Sequence, residues 1–219
     1  MEIRDLTEAA RQQPEPLRRI LEADGFTEAE QKLSTLNSAF HHDSLVVHVP
    51  ANVKNDRPVR LVHLFCAAAR QAIFPMTVIR VGAGSSLTLI DEYVSVGAGS
   101  AVDAHLLTGR ISLVLEPEAS VRYVRLQRWD ARAREFLLQR ATLATGATLT
   151  MANLNLGSSM SKAHLVTRLA GERASSALYG FVFGKDRQHV DQHTLQDHQA
   201  PHTTSDHQFR AALQDESHM

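Results

Sequence analysis

The sequence is poor in cysteine, with Cys66 alone among 219 residues. A disulfide within the chain is therefore excluded, as is a zinc or iron–sulfur site with four cysteine ligands from this chain alone. Cys66 lies in the apolar run Leu64–Ala69, which predicts a buried and unreactive thiol. No apolar run is longer, and a membrane helix needs about 18 such residues. Because the start of the sequence also lacks the apolar core of a secretory signal, we expect a cytoplasmic protein with no membrane association.

The sequence also lacks an excess of charge of either sign, since 23 basic residues face 24 acidic ones. This balance argues against nucleic acid as a partner, which would require a basic surplus. One stretch around Trp129 is nevertheless basic. Its alternating polarity and the neighbouring Asp130 and Glu135 predict a solvated outer strand face rather than an anion site. Its arginines are Arg122, Arg125, Arg128, Arg132, Arg134 and Arg140.

Helical periodicity is confined to the first 43 residues. Leu17, Ile20 and Leu21 recur at helical spacing, and Thr27 followed by Glu30 has the spacing of a capping box. From Leu45 onward the segments are short and rich in β-branched residues, which predicts strands; Asp130–Leu138 is a weaker candidate for a helical turn. The predicted strands are Leu45–Val49, Val59–Phe65, Met76–Val81, Ser86–Ile90, Tyr93–Val96, Ile111–Leu115, Val121–Leu126, Phe136–Leu143, Thr148–Leu156, Ala163–Leu169, Ala177–Phe183 and Gln188–Leu195.

Between Met76 and Leu195 there is no Asn-Gly, Asp-Gly or Gly-Gly pair, although these mark two-residue hairpins. A corner motif recurs instead: an apolar residue, four small or turn-forming residues, one more residue, and a second apolar residue six positions after the first. Copies occupy Val81–Leu87, Val96–Val102, Leu115–Val121 and Leu143–Leu149, with a looser one at Leu169–Ser175. Degenerate repeats of this length favour a solenoid, whose stacked aliphatic core also suits an aromatic content of only 5%. A β-sandwich with irregular loops is the alternative.

Histidine is the abundant residue type, with 12 in total and six between His189 and His218. His189 and His193 lie in a predicted strand, where i and i+4 are about 13 Å apart at ~3.3 Å per residue, so one metal ion cannot bind both. His198 and His202 are predicted to lie in a loop broken by Pro201. His193, His198 and His202 are therefore weak candidate metal ligands, and no catalytic or cofactor-binding residue is assigned.

Three segments carry a family resemblance. Arg187–Ser205 resembles the signature V-D-x-H-T-x-x-x-H-x-x-P-x-x-x-S of the SufB/SufD iron–sulfur assembly family. Leu33–Val59 is similar to the entry into that family's core, and Leu178–Gly184 is similar to the segment before the signature. The resemblance implies an all-β fold, a right-handed parallel β-helix (solenoid) core at 44–219 after a short N-terminal helical segment at 1–43.

The resemblance also implies a function. Having one cysteine, the chain looks more like SufD than like the cluster scaffold SufB. It would then be a non-enzymatic component that pairs with a SufB-like subunit through the β-helix and with a SufC-like ATPase. The expectation is that this chain alone binds no cofactor and that iron or a cluster is shared at the SufB interface. Compared with the family, the chain is expected to stop before the C-terminal helical region that docks SufC, and to oligomerise through open coils.

Two other functions remain open on the sequence. The Val-Gly-x-x-Ser-x-Val pieces resemble the hexapeptide repeat of left-handed β-helix acyltransferases, although here each copy stands alone rather than in tandem. The second open function is that of a histidine-rich metalloenzyme on a generic β-scaffold.

Overall fold

The computed structural model describes residues 1–42, 44–66, 71–96 and 104–219. Three helices near the N-terminus precede most of the strands: α1 (Leu6–Gln12), α2 (Pro14–Ala23) and α3 (Glu28–Phe40). The strands are β1 (Glu2–Asp5), β2 (Leu45–Val49), β3 (Val59–Cys66), β4 (Ala72–Ile73), β5 (Met76–Val81), β6 (Ser86–Val96), β7 (His105–Leu115), β8 (Ser120–Arg128), β9 (Ala133–Leu143), β10 (Thr148–Asn155), β11 (Met160–Leu169), β12 (Ser175–Gly184), β13 (His189–His198) and β14 (Thr204–Leu213).

The strands form a parallel β-solenoid of about five turns, as predicted. Sheet A has the order β1-β2-β5-β7-β9-β11-β13 with β4 beside β7, and sheet B has the order β3-β6-β8-β10-β12-β14. Neighbouring strands are parallel except β1, which is antiparallel to β2. From β5 onward the chain alternates between the two sheets, so each coil adds one strand to each of them.

Four of the five predicted corners connect a sheet A strand to the next sheet B strand. At each one a residue with φ near +60° turns the chain, in a region that favours glycine. Backbone hydrogen bonds stack these corners, for example Gly84 N to Pro117 O and Gly146 N to Glu172 O, both at 2.9 Å. The fifth copy, Val96–Val102, begins at the last residue of β6 in sheet B, and the rest of it lies outside the described residues. The left-handed residues of this corner are Asn52, Gly84, Glu118, Gly146, Arg173 and His202.

The coil length argues against the hexapeptide alternative. Leu115 pairs with Leu143, and Leu143 pairs with Leu169, so successive coils take 28 and 26 residues. Each coil has two long faces, whereas tandem hexads would give faces of six residues. The stacked leucines are fully buried and belong to one aliphatic core between the sheets.

The N-terminal helices cover the outer face of sheet A. Leu6 and Leu17 pack with Met76 and Val78 of β5 in a separate apolar cluster. Two buried ion pairs fasten the helical segment to the sheet: Asp24 with Arg110 of β7, at 2.7 Å, and Glu30 with Arg140 of β9. Because the helices cover this face, the outward apolar side chains Val46 and Val78 are shielded from water.

Glu30 also confirms the predicted capping box, since its carboxylate accepts the Thr27 backbone N–H at 2.9 Å. Its other oxygen accepts from Arg140 and lies 2.9 Å from His164 Nδ1. Burial alone would raise the pKa of Glu30, but the hydrogen bonds from Arg140 and Thr27 outweigh it and lower the pKa to about 2.

This shift predicts a pH dependence of stability. Because the folded pKa lies below the ordinary value of 4.5, Glu30 stabilises the fold above pH 4.5 and loses that contribution as the pH falls toward 2. We expect Glu30→Gln to lower the free energy of unfolding at pH 7 and the difference from wild type to shrink steadily between pH 4.5 and 2. Urea unfolding across this range measures it, and a difference independent of pH would contradict the assignment. Glu22→Gln, at an exposed pair with Arg18, is the matched control.

Most predicted strands are confirmed, with three corrections. Ser86–Ile90 and Tyr93–Val96 are one strand, β6, and Asp130–Leu138 holds a turn followed by β9 rather than helix. The strands β1, β4 and β14 were not predicted. β14 is polar and mostly exposed, so it lacks the apolar run that marks a strand in sequence.

Candidate functional site

The interior of the solenoid holds a polar cluster centred on Asp91 of β6, which is fully buried. One carboxylate oxygen lies 2.8 Å from Nε2 of His63, and the other accepts the hydroxyl groups of Tyr93 at 2.9 Å and Tyr123 at 2.6 Å. Burial first, and then the Asp91 charge, raise the pKa of both tyrosines well above the ordinary value. Both phenols therefore stay protonated and donate to Asp91.

A second buried carboxylate, Glu135 of β9, lies one coil further along. One oxygen accepts from the Arg125 guanidinium and from Trp129 Nε1 at 2.8 Å, and the other accepts from Ser161 at 2.9 Å. Arg125 lies 5.0 Å from the Tyr93 ring centroid, which links this pair to the Asp91 group. Burial would lower the pKa of Arg125, but the negative groups around it, Glu135 foremost, raise it.

The register of sheet B places these groups in line. Asp91 pairs with Arg125, and Arg125 pairs with Asn153, so their side chains stack along the solenoid axis. Both oxygens of Asp91 and of Glu135 are occupied by donors from the protein. Neither carboxylate is free to act as a general base, so the cluster fixes polar side chains in the interior rather than forming a reactive centre.

The C-terminal coil presents a different arrangement. β13 and β14 are the last strands of their sheets. Their outer edges have no strand partner in the described chain, although His218 forms a parallel bridge with His189 at the start of β13. The inward side chains of β14 include Phe209 and Leu213, whereas those of β13 are mostly polar. The amides of Gln192 and Gln196 on β13 have no hydrogen-bond partner within the described residues. Unpaired strand edges of this kind are templates for pairing with another strand.

The three candidate histidines do not converge. His193 lies on the outer face of sheet A, with its ring 5.1 Å from that of His164. His198 is the last residue of β13 rather than part of a loop, and its two ring nitrogens contact Thr203 at 2.7 Å and Ser205 at 3.0 Å. Because His193 and His198 are five residues apart in one strand, they point to opposite faces. His202 lies at the exposed corner with φ of 59°.

The contacts of His198 give the signature a structural meaning. The histidine and serine of H-x-x-P-x-x-x-S are in contact across the last corner, and the imidazole holds two hydroxyl groups of that corner. Within the described ranges, no group of three histidine, cysteine or carboxylate side chains is placed to hold a metal ion. Assignment of a metal to His193, His198 or His202 stays a prediction.

Two sequence-based interpretations were wrong. Cys66 is exposed, because Leu61 and Phe65 of the same strand face inward and alternation turns Cys66 outward. The basic stretch is not uniformly solvated, because Arg125 and Arg140 are 2% and 3% exposed and paired with Glu135 and Glu30. Arg122, Arg128 and Arg134 are exposed as predicted.

A signal for the buried arginine was present in the sequence. The corner at Leu115–Val121 ends on the inward residue Val121, and alternation from Val121 then directs Tyr123, Arg125 and Gln127 inward. The interior cluster therefore follows from the corner motif and the strand period together.

The fold is a parallel β-solenoid with a helical segment packed against one sheet. Two family models match this chain: "SUF system FeS cluster assembly, SufBD core domain" over residues 64–219, and "SufBD protein N-terminal region" over residues 1–61. The chain belongs to the SufBD family of iron–sulfur cluster assembly proteins. The expected boundary between residues 43 and 44 stays a prediction.

Similar curated proteins carry the same family name. "Iron-sulfur cluster assembly SufBD family protein" from Staphylococcus epidermidis is 25% identical over 199 residues, covering 91% of this chain and 42% of the relative. The protein of that family from Staphylococcus aureus strain MRSA252 has the same identity and coverage, and the one from Staphylococcus saprophyticus is 25% identical over 177 residues, 81% of this chain and 37% of the relative. The chain spans about two fifths of the length of these relatives. No helix in the described part is long and apolar enough to cross a membrane.

Proposed function

We propose that this chain acts as a SufD-like, non-enzymatic component of an iron–sulfur assembly complex. It pairs with a SufB-like subunit, and the complex includes a SufC-like ATPase and supports iron acquisition. The observation that carries the proposal is the ligand inventory: one cysteine in the chain, exposed at the end of β3, with both interior carboxylates occupied by donors. Cluster chemistry on this scaffold then requires ligands from a second chain.

We propose that pairing with the SufB-like subunit occurs at the C-terminal coil. The edge of β14, and that of β13 beyond the bridge with His218, can extend both sheets into another solenoid. The unpartnered amides of Gln192 and Gln196 on the inward side of β13 suit polar groups of a partner. Iron or a cluster shared between the chains would then lie at this junction. His198 and His207 occupy inward positions on this coil.

The test is co-expression of the untagged chain with SufB-like and SufC-like subunits from one source, with the tag on the SufB-like subunit. We expect this chain to co-purify in a fixed ratio and the complex to hold more iron than the two subunits without it. Cys66→Ser is expected to leave recovery and iron content unchanged, because Cys66 lies on β3 in the first coil of sheet B, at the far end from β14.

The outcomes separate the possible roles. Absence of this chain from the purified complex would refute the pairing, and loss of iron from the Cys66→Ser complex would show a SufB-like scaffold role instead. Iron on the chain purified alone and without a tag would favour a metal site within the chain.

A further inference from the structure

The outer face of sheet B reverses the usual burial pattern. In β12 the inward positions include Gly180 and Gly184, whereas Tyr179, Phe181 and Phe183 point outward and are 39%, 40% and 42% exposed. Gly180 is needed inside, because a Cβ there would lie 2.1 Å from the Phe209 ring. Large rings on the solvent side of a strand are costly unless another surface covers them.

The three rings are part of a larger apolar face. In register, Phe181 pairs with Leu154 and Leu154 with Leu126, while Tyr179 pairs with Ala152 and Ala152 with Val124. All these side chains point away from the core and are only partly buried. With roughly 60–90 Å² exposed on each ring, the three rings together expose about 180–270 Å². The partly exposed Leu126 and Leu154 extend this area toward the few hundred Å² that marks an interaction surface. We call the whole surface the outer apolar face of sheet B.

The charges around this face are mainly positive. Its outward charged residues are Arg60, Glu92, Arg122, Arg128, Asp206 and Arg210, four basic against two acidic. Glu92 is already bound by both Arg60 and Arg128, at 2.8 Å from the latter. Arg122 and Arg210 have no carboxylate partner among the described residues.

The opposite sheet shows what covers such a face. The outer apolar residues of sheet A lie under α1 and α2, and the arginines beside them are paired with acidic residues of the helical segment, Asp24 and Glu30. The outer apolar face of sheet B has the same composition, apolar rows with arginines beside them, but no helix of the described chain contacts it. A second copy of this face would oppose arginine with arginine, which disfavours self-association.

We propose that the outer apolar face of sheet B binds an amphipathic helix of another polypeptide, with acidic residues flanking the apolar stripe of that helix. Phe181 is the central apolar contact, and Arg122 and Arg210 receive the acidic flanks. This contact is separate from the strand edges of β13 and β14, so it does not depend on the proposed pairing there.

The direct test uses two fluorescent helical peptides of about 18 residues, long enough to form a helix in water. Both have leucine on one face; the other positions are glutamate in the first peptide and lysine in the second. We expect the full chain to bind the glutamate peptide at least about tenfold more tightly than the lysine peptide in fluorescence anisotropy at physiological ionic strength. Arg122→Glu combined with Arg210→Glu should reverse this preference.

Phe181→Asp should weaken glutamate-peptide binding at least about tenfold, as for a buried aromatic anchor. Leu195→Asp, at an equally exposed leucine on the outer face of sheet A, is the matched control and should leave binding unchanged. Circular dichroism melts confirm that both variants fold. Equal binding of the two peptides, or binding insensitive to Phe181→Asp, overturns the proposal. A dimer in analytical ultracentrifugation that Phe181→Asp dissociates also overturns it, because a second copy then covers the face.

Discussion

Replacing Arg125 with methionine is expected to destabilise the fold by about 3–5 kcal/mol, the cost of leaving a buried charge without its partner. Arg125 is 2% exposed and pairs with Glu135, which is 3% exposed. Methionine fills a similar volume but donates nothing, so Glu135 would lose its charged partner in the interior. Its remaining donors would be Trp129, Ser161 and, at 3.4 Å, Gln127. Urea unfolding followed by circular dichroism measures the loss.

Two further variants test the cause of that loss. Arg125→Met combined with Glu135→Gln removes both charges, and we expect it to recover most of the lost stability, since neutral partners avoid the cost of an unpaired ion. Arg128→Met, on the outer face of the same strand, removes an exposed guanidinium and should cost less than about 1 kcal/mol. A double variant no more stable than Arg125→Met would show that packing, not charge, dominates this site.

The repeated corner was predictable because its requirements are local. A sharp turn needs small residues or glycine at fixed positions, and apolar residues on either side must point inward, so the pattern appears in the sequence wherever the chain turns. The same holds for the capping box of Thr27 and Glu30, whose two residues are three positions apart. The spacing between successive corners in the sequence then gives the coil length, and no contact between distant residues has to be known.

The interior polar cluster was not predicted because an alternating strand can place either set of alternate residues inside. The residue types suggested that the polar set faced solvent. In Tyr123–Arg128 the polar positions look like the solvent face, but Tyr123, Arg125 and Gln127 are inside, and Val124 and Leu126 are outside. Their burial is compensated by Asp91 and Glu135, which come from other strands. Such compensation depends on register between coils, which no local window of sequence contains.

The last strand, β14, was missed for a related reason. β14 is an edge strand with one partner, β12, and its residues are mostly exposed, so it needs no apolar run to be stable. His198 ends β13 because its register partner, Leu169, ends β11 at the equivalent corner. The repeat thus continues in histidine, proline and threonine residues that carry no aliphatic signal.

The second large effect is expected at Gly171, where two coils approach most closely at a corner. A Cβ at this position would lie 1.9 Å from the backbone N of Thr145 and 2.3 Å from the carbonyl carbon of Ala144. The Gly171 N–H also donates to Leu143 O at 3.0 Å, which holds the two corners together. Neither backbone can move away without breaking the stack of hydrogen bonds that links the coils.

We therefore expect Gly171→Ala to destabilise the protein by about 3 kcal/mol, at the upper end of the cost of overpacking. Gly109→Ala is the matched control: the nearest atom to its new methyl group would be Leu137 Cδ1 at 3.3 Å, at the flexible end of a side chain. Its effect should lie within about 1 kcal/mol of wild type, because the lower entropy of the unfolded alanine chain offsets the tight contact. Urea unfolding of the two variants side by side tests the argument, and equal stabilities would show that the corners have room for a side chain. If the corners are as tight as the backbone distances indicate, the spacing between coils is set there and not by the leucines of the core.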